Sequence, residues 1–203
     1  MENIKKIISP SRFSTFSKRG RDDHEALNYY LWDISLCQSL YPCLHILEIT
    51  LRNTIHNSAI KQYNRNDWYD LIIHNQDKAR LDKVKKSFKN RPLPDDIIAA
   101  LTFGFWTTLF NKRYQNFARP ILKNAFPYMP KKIRSPETIR KRLNNIRRLR
   151  NRVFHYEPMY NNTKLKTRHD EIVEVIGWIE PEMEKLNLKL DTFDVVYSAQ
   201  PQK

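Results

Sequence analysis

The amino-acid sequence predicts a single all-α domain built as a helical bundle. Apolar residues recur with the 3.6-residue helical period through nearly all of the 203-residue chain, as in helices that bury one face. The chain contains only three glycines, too few for the tight turns of an all-β protein or for a glycine-rich phosphate loop. Its length is enough for one core and short for two domains.

No internal repeat or low-complexity linker divides the chain, so we expect one helical domain over residues 21–190. Residues 1–20 are basic and rich in serine, and we expect them to be loosely ordered. Residues 191–203 are expected to form a C-terminal tail that begins with a short strand or irregular structure.

The helices of the first half are predicted from capping residues and prolines. Asp22 and Asp23 can cap a first helix that ends near Tyr41. Pro42 then suits the first turn of a second helix over residues 43–63. Further helices are predicted at 76–89, 95–110 and 113–125.

The second half contains the helix on which the functional argument depends. A Ser-Pro pair at 135–136 is a helix start, with serine as the N-cap and proline at the first helical position. This helix should run to about Tyr156, because Pro158 disfavours helical conformation in the residue before it. A last helix is predicted over 168–188, with a bend at Pro181.

Positive charge is concentrated in one part of the chain. The net charge is +14, and residues 112–152 alone hold 14 lysines and arginines against one acidic residue, Glu137. A polyphosphate partner would relieve the self-repulsion, which favours nucleic-acid binding over a merely solvated basic face. An anionic membrane is a weaker alternative, because the basic segment lacks a broad apolar face.

The cysteines and the N-terminal residues indicate a cytoplasmic protein without a metal site. Cys37 and Cys43 lack metal-ligand spacing, and no other cysteine can complete a zinc site, so both are interpreted as reduced thiols. Residues 1–17 contain no signal-peptide core, and no run of 18 apolar residues exists to span a membrane. We therefore expect no metal, no cofactor and no membrane partner.

The helix that begins at residue 136 places an arginine among its core positions. Arg150 falls about 20° from the first residue of the apolar stripe on a helical wheel. A guanidinium at such a position needs an acidic or phosphate partner, unless it extends to the surface. The stripe consists of Ile139, Leu143, Ile146, Leu149 and Val153.

A glutamate occupies a similar position in the predicted helix over 43–63. Packing of the two helices would bring Glu48 to Arg150 as a buried ion pair. A local pair between Glu48 and Arg52, four residues apart, is an equally open alternative. Arg52 and Asn53 lie along the same helix and could line the same cleft.

His155 lies at the end of the basic helix, five residues after Arg150. On an ideal helix these two side chains point about 140° apart. They can act on one substrate only if the helix end unwinds near Pro158, or if the cleft lies between two subunits.

Three segments of the chain carry a resemblance to a known family. Residues 150–155 read Arg-Asn-Arg-Val-Phe-His. They resemble the R-x-x-x-x-H signature of HEPN ribonucleases, and the longer stretch 149–158 resembles the Abi-like abortive-infection proteins of the AbiD and AbiF group. Residues 47–53 resemble the early helix of that family and 102–106 its central aromatic motif. The likeness covers roughly residues 22–180.

The resemblance implies a HEPN-like helical bundle that cuts RNA without a metal, in bacterial phage defence or as a toxin. The products would carry 2′,3′-cyclic phosphate and 5′-hydroxyl ends. His155 would move protons, since imidazole exchanges them near neutral pH. Arg150 would hold the phosphate, and Asn151 would hydrogen-bond it or fix the histidine tautomer. Supporting residues would be Glu48, Arg52 and Asn53.

The expected partners are RNA and a second copy of the chain. Proteins that resemble HEPN usually act as dimers, which would bring two motifs to one cleft. Two other functions stay open: a non-catalytic RNA-binding module, and an interaction protein whose basic stretch binds an acidic antitoxin. The candidate RNA-binding residues are Arg147, Arg148, Arg152 and Tyr156.

Overall fold

The structure, a computed structural model, describes residues 1–18 and 21–202, and its regular secondary structure in that part of the chain is entirely helical. The predicted all-α class is therefore confirmed. A short 3-10 turn, Lys112–Tyr114, precedes α8. The α-helices are α1 (Glu2–Ile8), α2 (Pro10–Phe16), α3 (Asp23–Tyr63), α4 (Tyr69–Ile72), α5 (Asn75–Lys86), α6 (Pro94–Ala100), α7 (Phe103–Thr108), α8 (Gln115–Ala125), α9 (Pro136–Phe154), α10 (Leu165–Ile179), α11 (Pro181–Leu190) and α12 (Phe193–Ser198).

Helix α3 is one continuous helix where two were predicted. Its start agrees with the sequence: the Asp22 carboxylate accepts hydrogen bonds from the N–H groups of His24 and Glu25, and the Asp22 N–H donates to the Glu25 carboxylate. The predicted break at Pro42 is wrong. Buried residues line the helix on both sides of the proline, and their burial outweighs the roughly 3 kcal/mol that an interior proline costs.

The N-terminal segment is folded onto the core, and the prediction of a loosely ordered segment is wrong for residues 1–18. Phe13 and Phe16 of α2 are buried in the main hydrophobic cluster. The Ser9 side chain caps α2 by accepting a hydrogen bond from the Arg12 N–H. Residues 19 and 20 of the predicted segment lie outside the described residues.

The C-terminal tail contains a helix, α12, in place of the expected strand or irregular structure. Phe193 is fully buried, and its ring stacks on His169 with the centroids 4.2 Å apart. The Trp32 indole donates a hydrogen bond to the Val196 carbonyl at 2.8 Å. These contacts tie the tail to α3 and α10; residue 203 lies outside the described residues.

Two further predicted helices are interrupted. The helix predicted over 95–110 splits into α6 and α7, because Leu101 and Thr102 have extended backbones. The bend predicted at Pro181 is a complete break, since Glu180 is extended and caps α11 with its side chain. The aromatic residues near the first break are buried, as core residues would be: Phe103, Phe105, Trp106 and Phe110.

Helix α3 is the central element of the bundle. Helices α8 and α10 pack along it, and α2, α7, α11 and α12 also contact it. The basic helix α9 packs on α7, α8 and α10. By length and composition α3 could also cross a membrane, but half of its most apolar stretch is buried within the fold, as in many core helices.

Candidate active site

The basic helix α9 begins where the sequence predicts and ends two residues earlier. Ser135 Oγ accepts a hydrogen bond from the Thr138 N–H at 3.1 Å, and Pro136 occupies the first helical position. All five residues of the predicted apolar stripe are buried. The Arg150 side chain, within that stripe, keeps 30% of its surface exposed.

The predicted contact between Arg150 and Glu48, the two charged residues that fall within apolar stripes, is present. Arg150 Nη2 lies 3.7 Å from Glu48 Oε2. The pair is only partly buried, not buried as predicted, so water screens it and its contribution to stability is small. The competing local pair is absent, because Arg52 donates instead to the Ala99 carbonyl and to Asn53 Oδ1 in the described structure.

A group of aromatic rings extends from one side of this ion pair. The Arg150 guanidinium lies 4.4 Å from the centre of the Phe154 ring, a cation–π contact. The Phe154 ring lies 6.3 Å from that of Tyr41, which stacks on His45. Sequence reasoning missed Tyr41, His45 and Phe154. A signal was available: Tyr41, His45 and Glu48 are spaced four and three residues apart, which places them on one helix face.

Helix α9 ends in a tight turn directly after His155. The Tyr156 N–H donates to the Val153 carbonyl and the Glu157 N–H to the Arg152 carbonyl, the two bonds of a Schellman motif. Tyr156 has a φ of 58°, in the left-handed region where glycine is usual and a side chain costs about 1 kcal/mol. Tyr156 as a residue is 73% exposed, so its ring is accessible for stacking on a base.

Two arginines hold the turn at Tyr156. Arg12, from α2, donates to the Tyr156 carbonyl at 2.6 Å, although the two residues are 144 positions apart. Arg152 donates to the Pro158 carbonyl, and its Nε lies 3.4 Å from the Glu157 carboxylate. Arg152 was predicted to bind RNA, but the structure engages its guanidinium within the chain.

A buried aspartate of α3 anchors the next residues of this loop. Asp33 Oδ1 accepts hydrogen bonds from the N–H groups of Met159 and Tyr160, at 2.6 and 2.7 Å. Burial raises the pKa of the Asp33 carboxyl, and the two hydrogen bonds oppose that rise. Because a buried N–H without an acceptor is costly, Asp33 fixes the path of the chain after His155.

The structure brings some of the predicted site residues together and leaves others apart. Asn151 and His155 are exposed at the end of α9, and in the described part of the chain their side chains make no hydrogen bond or ion pair. They are thus not joined to Arg150 by any such contact. Arg147 is half-buried on α9 and Arg148 is exposed. Within one chain, Arg150 therefore contacts Glu48, whereas His155 and Asn151 are exposed at the end of α9 without a hydrogen bond or ion pair to those two residues in the described structure.

Part of the basic charge of residues 112–152 is used inside the chain. Arg142 donates to the buried Glu171 at 2.6 Å, and Arg113 binds the buried Asp77. The free positive surface is therefore smaller than the sequence suggests. Exposed cations of this region that pair with no carboxylate in the described residues include Lys123, Lys131, Lys132 and Arg148.

Other ionisable side chains are engaged in the core. His56 Nδ1 accepts a hydrogen bond from the Trp68 indole at 2.9 Å, and burial lowers the pKa of His56. Burial raises the pKa of Cys37 to about 11 and that of Cys43 to about 12, which disfavours the nucleophilic thiolate form of both free cysteines. Among the described residues, no group of three or more His, Cys, Asp or Glu side chains could hold a metal ion.

Comparison of the chain with protein-family models, curated proteins and solved structures gave no match. The resemblance to Abi-like and HEPN proteins therefore stays a prediction from the residues of this chain.

Proposed function

We propose that this protein is a metal-independent endoribonuclease of the HEPN type, acting in bacterial phage defence or as a toxin. The observation that carries the proposal is the contact of Glu48 with Arg150, beside the end of a basic helix that exposes Asn151 and His155. The Glu48 carboxylate and the Phe154 ring position the Arg150 guanidinium, which keeps N–H donors for a phosphate oxygen.

The reaction is a transesterification within the RNA strand. The 2′-oxygen attacks the adjacent phosphorus while the bond from phosphorus to the 5′-oxygen breaks. Imidazole of His155 takes the 2′-hydroxyl proton, and an imidazolium returns a proton to the leaving 5′-oxygen, so protons balance. Arg150 stabilises the charge that develops on the non-bridging oxygens. Asn151 hydrogen-bonds the phosphate or orients His155.

The experiment that tests the proposal is cleavage of a labelled single-stranded RNA by the purified protein in excess EDTA. We expect cleavage to persist and to leave 2′,3′-cyclic phosphate and 5′-hydroxyl ends, because imidazole and guanidinium groups supply the chemistry. End-group analysis of the products checks this. Strict dependence on magnesium or manganese would contradict the proposed site. Salt-sensitive RNA binding without cleavage would favour the non-catalytic binding module.

A homodimer is the second part of the proposal. Arg150 and His155 of one chain make no contact, so a shared site would take one residue from each copy. Leu31, Ile34 and Tyr41 lie along one face of α3 and are 52%, 39% and 53% exposed, so they form an apolar strip that a second copy of the chain could cover. Their spacing is that of a helix–helix seam, and the Tyr41 contact with the end of α9 connects this face to the site.

Complementation between inactive subunits tests the shared site. Co-expression of His155→Ala and Arg150→Ala chains should restore about a quarter of wild-type activity, because half of randomly formed dimers are mixed and each mixed dimer has one intact site. An Ile34→Asp chain should be a monomer by light scattering. Absence of any recovery in an isolated mixed dimer would show that each chain works alone.

Binding of an acidic antitoxin and a cytoplasmic location stay predictions from the sequence.

A further inference from the structure

A cavity of about 300 Å³ lies between four separate parts of the chain. Lys18 and Arg21, which lie between α2 and α3 in the sequence, form one wall, and α3 contributes Trp32. The loop after Met159 and the C-terminal helix α12 form the remaining walls. The volume is at the lower end of the range for small-molecule sites, which begins at roughly 300 Å³.

The walls of this cavity combine aromatic rings with amide groups. Trp32, Tyr160 and Tyr197 line it, and aromatic rings of this kind can stack on a planar heterocycle. Asn161 and Asn162 line it as well and offer both donors and acceptors, the groups that recognise the edges of a nucleobase.

The two cationic residues of the cavity, Lys18 and Arg21, have no carboxylate counterion in the part of the chain that the structure describes. Arg21 donates one hydrogen bond to the Phe16 carbonyl and lies over the Tyr29 ring, while its buried Nε has no hydrogen-bond partner. An arginine cannot lose its charge, so an anion at this position would be stabilised.

We propose that this cavity binds a nucleoside monophosphate group, with the base among the aromatic rings and the phosphate on Lys18 and Arg21. The group can be a free mononucleotide or the terminal nucleotide of an RNA strand. The inference goes beyond the proposed nuclease activity and does not depend on it. The lining residues Met159 and Tyr160 are those that Asp33 anchors, a few residues after His155, so an occupied cavity would also stiffen this loop.

Calorimetric titration of the full-length protein with AMP, GMP, CMP and UMP tests the proposal, with inorganic phosphate as the control ligand. For a ligand of about 23 non-hydrogen atoms we expect one site per chain and a Kd on the order of 10 µM for at least one nucleotide. Phosphate alone should bind at least about tenfold more weakly, because it cannot stack. A short RNA with a 5′-phosphate forms a separate arm, which identifies a terminal nucleotide as the ligand.

Variants assign the binding to the cavity. Arg21→Gln should weaken nucleotide binding about tenfold or more, while Arg80→Gln, on the exposed surface of α5, should leave it unchanged. If Arg21→Gln does not fold, Tyr197→Ala tests the stacking wall instead. Absence of saturable binding of every nucleotide and of the RNA up to about 1 mM would overturn the proposal. Binding that the cavity variants do not weaken would overturn it as well.

Discussion

Replacement of His155 by alanine is expected to lower RNA cleavage by about 10²–10⁴-fold, because the proton transfers of the transesterification lose their side chain. The unfolding temperature should change little, since His155 is exposed and its side chain makes no hydrogen bond in the described structure. The measurement is the initial rate of cleavage of a labelled RNA, together with a thermal melt. The matched control is His24→Ala, an exposed histidine near the start of α3, which should keep full activity.

Arg150→Ala should lower the cleavage rate by about 10²–10³-fold, because a donor to the phosphate is lost. The free energy of unfolding should fall by less than about 1 kcal/mol, since the partner Glu48 is partly exposed and water solvates it when the arginine is gone. A large stability loss in Arg150→Ala would mean that the arginine has mainly a structural role.

For the His155→Ala variant, wild-type cleavage by a homogeneous preparation would remove His155 from the mechanism.

Replacement of Asp33 by alanine is expected to lower the free energy of unfolding by about 2–4 kcal/mol, because two N–H groups in the loop that precedes α10 lose their acceptor. RNA cleavage should fall as well, even where the protein is still folded, since this loop follows directly on the turn after His155. Asp33→Asn keeps one acceptor oxygen and should lose less stability. Urea unfolding monitored by circular dichroism measures both variants.

The pH dependence gives an independent test of the Asp33 carboxyl. Burial raises its pKa above 3.8, so the folded state binds this proton more tightly than the unfolded state. The contribution of Asp33 to stability therefore falls as the pH rises from 3.8 through the raised pKa of the folded state. Asp33→Asn should lack this component. The control for Asp33→Ala is Asp82→Ala, which removes a carboxylate that has no partner in the described residues. If Asp33→Ala and Asp82→Ala lowered the free energy of unfolding equally, the anchoring role of Asp33 would be contradicted.

Some features of the site follow from the sequence alone. The position of α9 is determined locally, because the Ser-Pro pair at 135–136 supplies the cap and the first helical residue. The apolar stripe of α9 fixes which face is buried, and the same periodicity identified Arg150 and Glu48 as charges among core positions. Their contact in the structure is the clearest agreement between helical pattern and tertiary arrangement.

Sequence reasoning failed where burial outweighed local preference. Pro42 is a local signal for a helix start, yet α3 passes through it because its buried residues on both sides pack against other helices. Residues 1–18 were read as loosely ordered from their composition, which carries no information on where Phe13 and Phe16 would be buried. In each case the deciding energy comes from contacts that are distant in sequence.

The path of the chain after His155, at the end of α9, is determined by the tertiary structure. The sequence determined a basic helix with an arginine and a histidine near its end, and it indicated that the two would point apart. It did not indicate that Arg12 and Asp33 hold the chain after His155, because these contacts span more than 120 residues. Helical periodicity specifies which residues share a face. Only the packing of α2, α3 and the end of α9 against one another determines which distant side chain meets that face.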